Sequence, residues 1–214
     1  IVAEHVTPTR SRLYVQYRDG GPSAVRMFSL AGKPMSELPV ENNSDIAIGE
    51  VLNGDNVMVR IMSYLTPRTQ YVYEAENNRL QPTKLNSKPQ FNFSDAAVER
   101  VFATSKDGTK VPISILHRKD MQLDGNTPII LYGYGGYGIS MAPYFSAMNR
   151  LWLDYGGAFA VANVRGGGEY GEPWHQAGML TKKQNVFDDF AACMQLLVER
   201  KYTRPERLAI MGGS

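Results

Sequence analysis

Glycine placement constrains this chain more than any other feature. Ten of its 20 glycines lie between Gly133 and Gly171. Glycine allows tight turns and close backbone approach, and costs about 1 kcal/mol relative to alanine inside a helix. The segment therefore reads as tight loops set between short regular elements. The apolar run Thr127–Tyr132 enters the first loop, and Ala158–Val164 enters the second, Arg165 to Gly171 (RGGGEYG). Between them the spacing of Tyr144, Met148, Leu151 and Tyr155 predicts a helix over Ala142–Tyr155, with Pro143 near its start. Asn185 to Arg200 is the clearest predicted helix. Its apolar stripe is Val186, Phe187, Phe190, Ala191, Met194, Leu197 and Val198, with Asn185 as N-cap. Arg207–Met211 reads as a last buried strand, running into Gly212-Gly213-Ser214. Strand, helix, strand, helix, strand predicts an α/β segment with parallel pairing and right-handed crossovers.

The first half has a different texture. Leu13–Arg18 and Ala24–Leu30 flank the turn Asp19-Gly20-Gly21-Pro22-Ser23, and Val57–Ser63 and Gln70–Tyr73 flank Leu65–Arg68. Short strands with regular turns predict antiparallel sheet, as in a sandwich or a propeller blade. Residues 81–95 are polar with two prolines and mark a boundary. Glu99–Thr104 and Lys110–His117 then read as a hairpin closed at Asp107-Gly108.

Composition excludes several classes. Apolar residues are 43%, charged residues 21%, and the net charge is +2, which does not describe a disordered chain. No apolar run reaches the roughly 18 to 20 residues of a membrane span. A single Cys excludes an internal disulfide framework and a Cys-based zinc site. The charges are interspersed, with no basic block of the kind that binds nucleic acid.

Three constellations could carry chemistry. Gly212-Gly213-Ser214 after a strand matches the first half of the nucleophile elbow G-x-S-x-G, where a serine sits on a sharp strand-to-helix turn. Gly133-Tyr134-Gly135-Gly136-Tyr137-Gly138 has the G-x-G-x-x-G spacing of a dinucleotide loop. That reading lacks an acid at the end of the next strand, though Arg165 could meet a 2′-phosphate. The same loop can instead supply donors to an oxyanion, with a Tyr hydroxyl among them. Arg165 to Gly171 could form an anion nest, or a structural loop whose arginine reaches a carboxylate. His5, His117 and His175 have no metal-ligand spacing. Asp188-Asp189 reads as solvated acids or as acids favoured by the dipole at the helix N-terminus, and Cys193 as a core thiol.

Taken in order, these pieces resemble the prolyl oligopeptidase family of serine peptidases. The likeness is carried by Tyr132 to Tyr137, by Ala162-Asn163-Val164-Arg165 through Gly171, by Trp174-His175, by Gln184 to Phe190, and by Gly212-Gly213-Ser214. Residues 104–110 and 63–67 add to it. The resemblance implies part of an α/β-hydrolase domain, preceded by the last blades of a β-propeller. Residues 1–88 would belong to the propeller, and 89–214 would begin an incomplete peptidase domain. It implies hydrolysis of short peptides after proline through a Ser-Asp-His triad. Ser214 matches the nucleophile, Tyr134 the oxyanion donor, and Tyr137 a position where the family usually has a substrate-pocket phenylalanine.

The resemblance implies no cofactor and no metal. It implies short proline-containing peptides as partners, with neither nucleic acid nor membrane, and a monomer when complete. The triad Asp and His would come from the rest of the same enzyme, so these residues alone are expected to be inactive. Ile1-Val2-Ala3-Glu4 lacks the features of a signal peptide. The lone Cys and the family suggest the cytoplasm, with the periplasm open. The alternatives are an oligopeptidase B-like enzyme cleaving after Arg or Lys, a peptide macrocyclase, a non-catalytic binding protein of the same architecture, and a dinucleotide-dependent oxidoreductase.

Overall fold

The computed structural model describes residues 1–86 and 90–213, which divide into two compact units. The boundary expected at 88–89 falls outside the described residues, as does Ser214.

The first unit takes in residues 1–90 together with 142–145. It holds two four-stranded antiparallel sheets, each a simple meander. One runs β1 (Val2–Pro8), β2 (Arg12–Arg18), β3 (Ser23–Ser29), β4 (Pro34–Glu37); the other runs β5 (Ser44–Val51), β6 (Val57–Ser63), β7 (Thr69–Glu74), β8 (Arg79–Pro82). Alternation along the strands places Val25 and Met27 of β3, and Val57, Val59 and Ile61 of β6, in one shared core with Tyr14, Ile46 and Tyr73. The Tyr14 and Tyr73 rings meet edge to face with centroids 6.0 Å apart. The buried side chains of Ser23 and Arg18 in this layer are paired. Ser23 Oγ accepts from the Ile46 amide at 2.7 Å, and Arg18 forms ion pairs with Glu4 and Asp45.

The second unit comprises residues 91–141 and 146–214. Its elements are β9 (Ala96–Thr104), β10 (Lys110–Arg118), β11 (Ile129–Gly133), α1 (Ala147–Asp154), β12 (Ala158–Ala162), α2 (Glu172–Gln176), α3 (Gln184–Glu199) and β13 (Leu208–Met211). They form one five-stranded sheet in the order β13-β11-β12-β10-β9. The β13, β11 and β12 strands are parallel, as the strand–helix alternation predicts; β10 and β9 add an antiparallel hairpin. Every residue of β12 (AFAVA) is buried. The core joins Ile113, Ile115, Ile129, Leu131 and Ala160 of the sheet to Val186, Cys193 and Leu197 of α3.

Three expectations are corrected. The first helix begins at Ala147, five residues later than expected, and it presents the opposite face. Met148, Leu151 and Tyr155 are exposed, whereas Asn149, Arg150 and Leu153 are buried. Arg150 is the cause. Its guanidinium reaches Asp95 and Asp154, both at 2.6 Å, donates to the Asn92 carbonyl, and lies over the Phe93 ring. An arginine that satisfied turns its own side of the helix inward, and the aliphatic stripe follows the other way.

The second correction concerns α3. Its inward residues are Val186, Asp189, Cys193, Leu196 and Leu197, while Phe187 and Ala191 face out. Asn185 lies inside the helix rather than capping it, and its side chain donates to the Ala177 carbonyl at 2.9 Å. Third, among the described residues β13 stands at the edge of the sheet beside β11, and its last three residues are exposed.

Cys193 is completely buried, and burial pushes its thiol pKa far above the ordinary cysteine range. Iodoacetamide at mildly alkaline pH is therefore expected to leave Cys193 unmodified in the native protein and to label it after denaturation. Peptide mass spectrometry checks this; native-state labelling would mean that the inner face of α3 opens.

Candidate active site

The carboxyl ends of β11, β12 and β13 lie along one edge of the sheet, and each opens into a glycine-rich segment. The chain passes from β11 through α1 to β12, then through α3 back across to β13 on the other side of β11. Strand order therefore reverses at β11. In open α/β sheets such a reversal leaves a crevice at the carboxyl ends. Tyr134 is the first residue after β11, and it is half-buried. Gly212 lies beside it in space, since a Cβ at Gly212 would come 3.1 Å from the Gly133 carbonyl oxygen. A cavity of about 380 Å³ is lined here by Tyr134, Val164, Val186, Phe190 and Met211. It is an apolar recess with a phenol at its wall.

The glycines are required by contact. A Cβ at Gly133 would stand 2.7 Å from the Phe190 ring, and one at Gly135 would stand 2.5 Å from Val186. The two glycine loops stack backbone on backbone. Gly138 N donates to Gly166 O at 3.0 Å, and a Cβ at Gly166 would lie 2.5 Å from Gly135 O. Gly166 also has φ +89°, where a side chain is strained. Tyr137 occupies the outer turn of the first loop, 82% exposed, with φ +54°.

A buried ionic cluster holds the second loop. Arg165 forms an ion pair with Asp189 at 2.6 Å, and its own backbone amide donates to the same carboxylate at 3.0 Å. The guanidinium also reaches Asp107 at 2.5 Å and Ser105 Oγ in the β9–β10 turn. Hydrogen bonds donated by Arg165 to Asp189 and Asp107 raise its pKa further above its already high value, against the opposing cost of burial. The arginine and carboxylate expected of this loop are present, but the carboxylate corrects another expectation. Asp189 is wholly buried rather than solvated. Its spacing of three from Val186 and four from Cys193 was the available signal, because it puts the acid on the apolar face. Glu169 is likewise buried, and accepts from the Met141 amide at 2.9 Å and from Asn163 Nδ2.

These contacts remove the dinucleotide geometry. The first loop does not open a helix, since α1 starts nine residues beyond Gly138. Arg165 is committed to two carboxylates and is not available for a 2′-phosphate. The anion-nest reading fails similarly: a Cβ at Gly167 would meet Glu169 and one at Gly168 would meet the Gly138 carbonyl, so these glycines serve packing. His117 Nδ1 sits 2.7 Å from the Arg118 carbonyl oxygen, and His175 lies in α2 beside Glu172. Among the described residues, no group of three or more His, Cys, Asp or Glu side chains could hold a metal. Lys183, which sequence reasoning passed over, donates from Nζ to the Gly135 carbonyl at 2.7 Å.

The site is thus a strand-end recess in an α/β unit, walled by a tyrosine-bearing glycine loop and by the Gly-Gly segment leading to a serine. The fold is shared with solved structures, and the sequence with known proteins. The profile of the prolyl oligopeptidase family matches residues 143–214. A prolyl endopeptidase from Elizabethkingia miricola is 34% identical over the whole chain, which covers 31% of that protein. A solved structure from a study of two prolyl endopeptidases superposes with a TM-score of 0.89 at 42% identity, over 99% of this chain and 31% of that one. Prolyl oligopeptidase B from Galerina marginata, bound to a hydrolysis and macrocyclization substrate, gives a TM-score of 0.89 at 32% identity, again over 99% and 31%. The chain belongs to the prolyl oligopeptidase family, and it spans about three tenths of the length of these relatives.

The ionic cluster has a pH signature. Hydrogen bonding to Arg165 and to the Thr109 backbone amide holds the Asp107 carboxyl well below the usual carboxylate range. A depressed folded-state pKa contributes stability that is complete above the unfolded value, roughly 3.9, and is lost as pH falls through the folded one. Asp107→Asn is expected to lower the urea midpoint at neutral pH, with the gap to wild type closing below about pH 4. A gap independent of pH would mean that the Asp107 charge contributes nothing.

Proposed function

We propose that the complete protein is a serine endopeptidase that hydrolyses short peptides on the carboxyl side of proline. In this reading residues 1–88 are the last blades of a β-propeller, and residues 89–214 are the beginning of the α/β-hydrolase domain. The two four-stranded meanders of the first unit support the blade assignment, since a blade is a four-stranded antiparallel sheet. The parallel strands and strand-end recess of the second unit support the hydrolase assignment.

The observation that carries the proposal is Tyr134 at the exit of β11, beside the end of the strand that leads to Ser214. Ser214 Oγ would attack the acyl carbon while a histidine from elsewhere in the enzyme takes its proton. Electron density moves onto the carbonyl oxygen, and the Tyr134 hydroxyl donates to that oxyanion. A donor placed in advance strengthens its interaction as charge develops, and so lowers the barrier rather than merely binding the ground state. Collapse of the intermediate expels the amine, which takes the proton from the histidine, and water then hydrolyses the acyl-enzyme. Tyr137, exposed on the same loop, would contact the substrate near its proline.

Tyr134→Phe in the full-length enzyme is expected to lower kcat about 100- to 1000-fold on a prolyl reporter peptide, with an unchanged thermal midpoint. Unchanged turnover would remove Tyr134 from the oxyanion site. Ser214→Ala is expected to abolish labelling by a serine-directed phosphonate. Labelling that persists at another serine would overturn the nucleophile assignment. A macrocyclase reading is supported by the Galerina marginata relative bound to a macrocyclization substrate, among others. Mass spectrometry of the products from a long proline-containing peptide separates a cyclic product from hydrolysis.

A further inference from the structure

One positive charge bears on the loop that carries Tyr134. Lys183 Nζ donates to the Gly135 carbonyl at 2.7 Å, joining residues 48 apart in sequence. A Cβ built at Gly136 would lie 3.9 Å from Lys183 Nζ and 3.8 Å from Tyr134 Cε1. The ammonium and the phenol ring therefore flank the same point of the loop.

The position is a poor one for a lysine judged by the helix alone. Lys183 is the N-cap of the 16-residue α3, whose first turn contains no acidic residue. A cation at that end opposes the helix macrodipole and favours fraying. The side chain makes no side-chain cap, and the residue is exposed, so burial does not compensate. The charge-assisted bond to Gly135 O is the compensating interaction that the structure shows. It is made to a residue at φ +64°, whose Cα is packed against Val164 and Val186.

We propose that Lys183 is a positioning residue for the oxyanion donor. Its hydrogen bond fixes the Gly135 carbonyl, and so the Gly135–Gly136 peptide one residue beyond Tyr134, so that the loop holds the phenol in one orientation. Its charge, added to the positive end of α3, favours a hydroxyl that must stabilise developing negative charge. The substrate's ground state carries no such charge, so the effect falls on kcat rather than on KM. The proposal rests on the reading of Tyr134 as oxyanion donor.

The test uses the full-length enzyme and a prolyl reporter peptide, with Lys183→Met and Lys183→Arg each made alone and in a Tyr134→Phe background. Lys183→Met is expected to lower kcat about tenfold, the size of a lost charged hydrogen bond, with KM and thermal midpoint unchanged. Lys183→Arg should recover most of the rate. In the Tyr134→Phe background Lys183→Met should change kcat by less than about twofold, because the two residues act as one unit. An unchanged kcat for Lys183→Met beside a large loss for Tyr134→Phe would overturn the role of Lys183 and leave the donor reading intact. An unchanged kcat for Tyr134→Phe would overturn both. A lowered midpoint for Lys183→Met, with a loss of kcat that persists undiminished in the Tyr134→Phe background, would make Lys183 purely structural and overturn the proposal.

Discussion

The buried pairing of Arg165 with Asp189 is the interaction on which the second unit depends most. Taking both charges out of water carries a cost that attraction repays only with good geometry and full hydrogen bonding. Here the carboxylate accepts from the guanidinium and from the Arg165 amide, while the far side of the guanidinium reaches Asp107 and Ser105. Three separate pieces of chain are tied at one point: the β9–β10 turn, the second glycine loop and the middle of α3. Such a cluster adds orientation more surely than stability. It sets where the backbone of Gly166 to Gly168 must run.

Everything nearer the recess is built on that backbone. The first glycine loop lies against Gly166 and Gly168 with no room for a side chain between them. Tyr134 and Tyr137 are carried by that loop, one turned into the wall of the recess and one out from it. Close-packed main chain is a stiff support for a hydroxyl that, in the proposed reading, must be in place before charge appears. Stiffness also explains why a strained φ at Tyr137 persists, since its neighbours on both sides are anchored.

Much of the arrangement was legible from local chemistry. Asp107-Gly108 announced a hairpin because only glycine suits the φ of +87° found there. The run AFAVA announced a buried parallel strand because it offers no polar face to water. Gly135 and Gly166 announced loops, though not that one loop would exclude every side chain from the other. The faces of α1 and α3 were less legible. Apolar spacing finds a stripe but does not weigh it against an arginine with two carboxylates in reach, as at Arg150, or against a buried acid such as Asp189. Those partners, Asp95 and Arg165, are distant in sequence, and no local pattern connects them.

By itself, the sequence determined the kind of element in each region: two pairs of antiparallel strands, an alternating α/β segment, and glycine loops at strand ends. It did so because hydrophobic period and glycine conformation act over a few residues. The tertiary structure decided which helix faces turn inward, that Arg165 and Asp189 are a buried pair, and that Lys183 meets the Tyr134 loop. These depend on charges brought together across tens of residues, where packing decides which partner each charge finds.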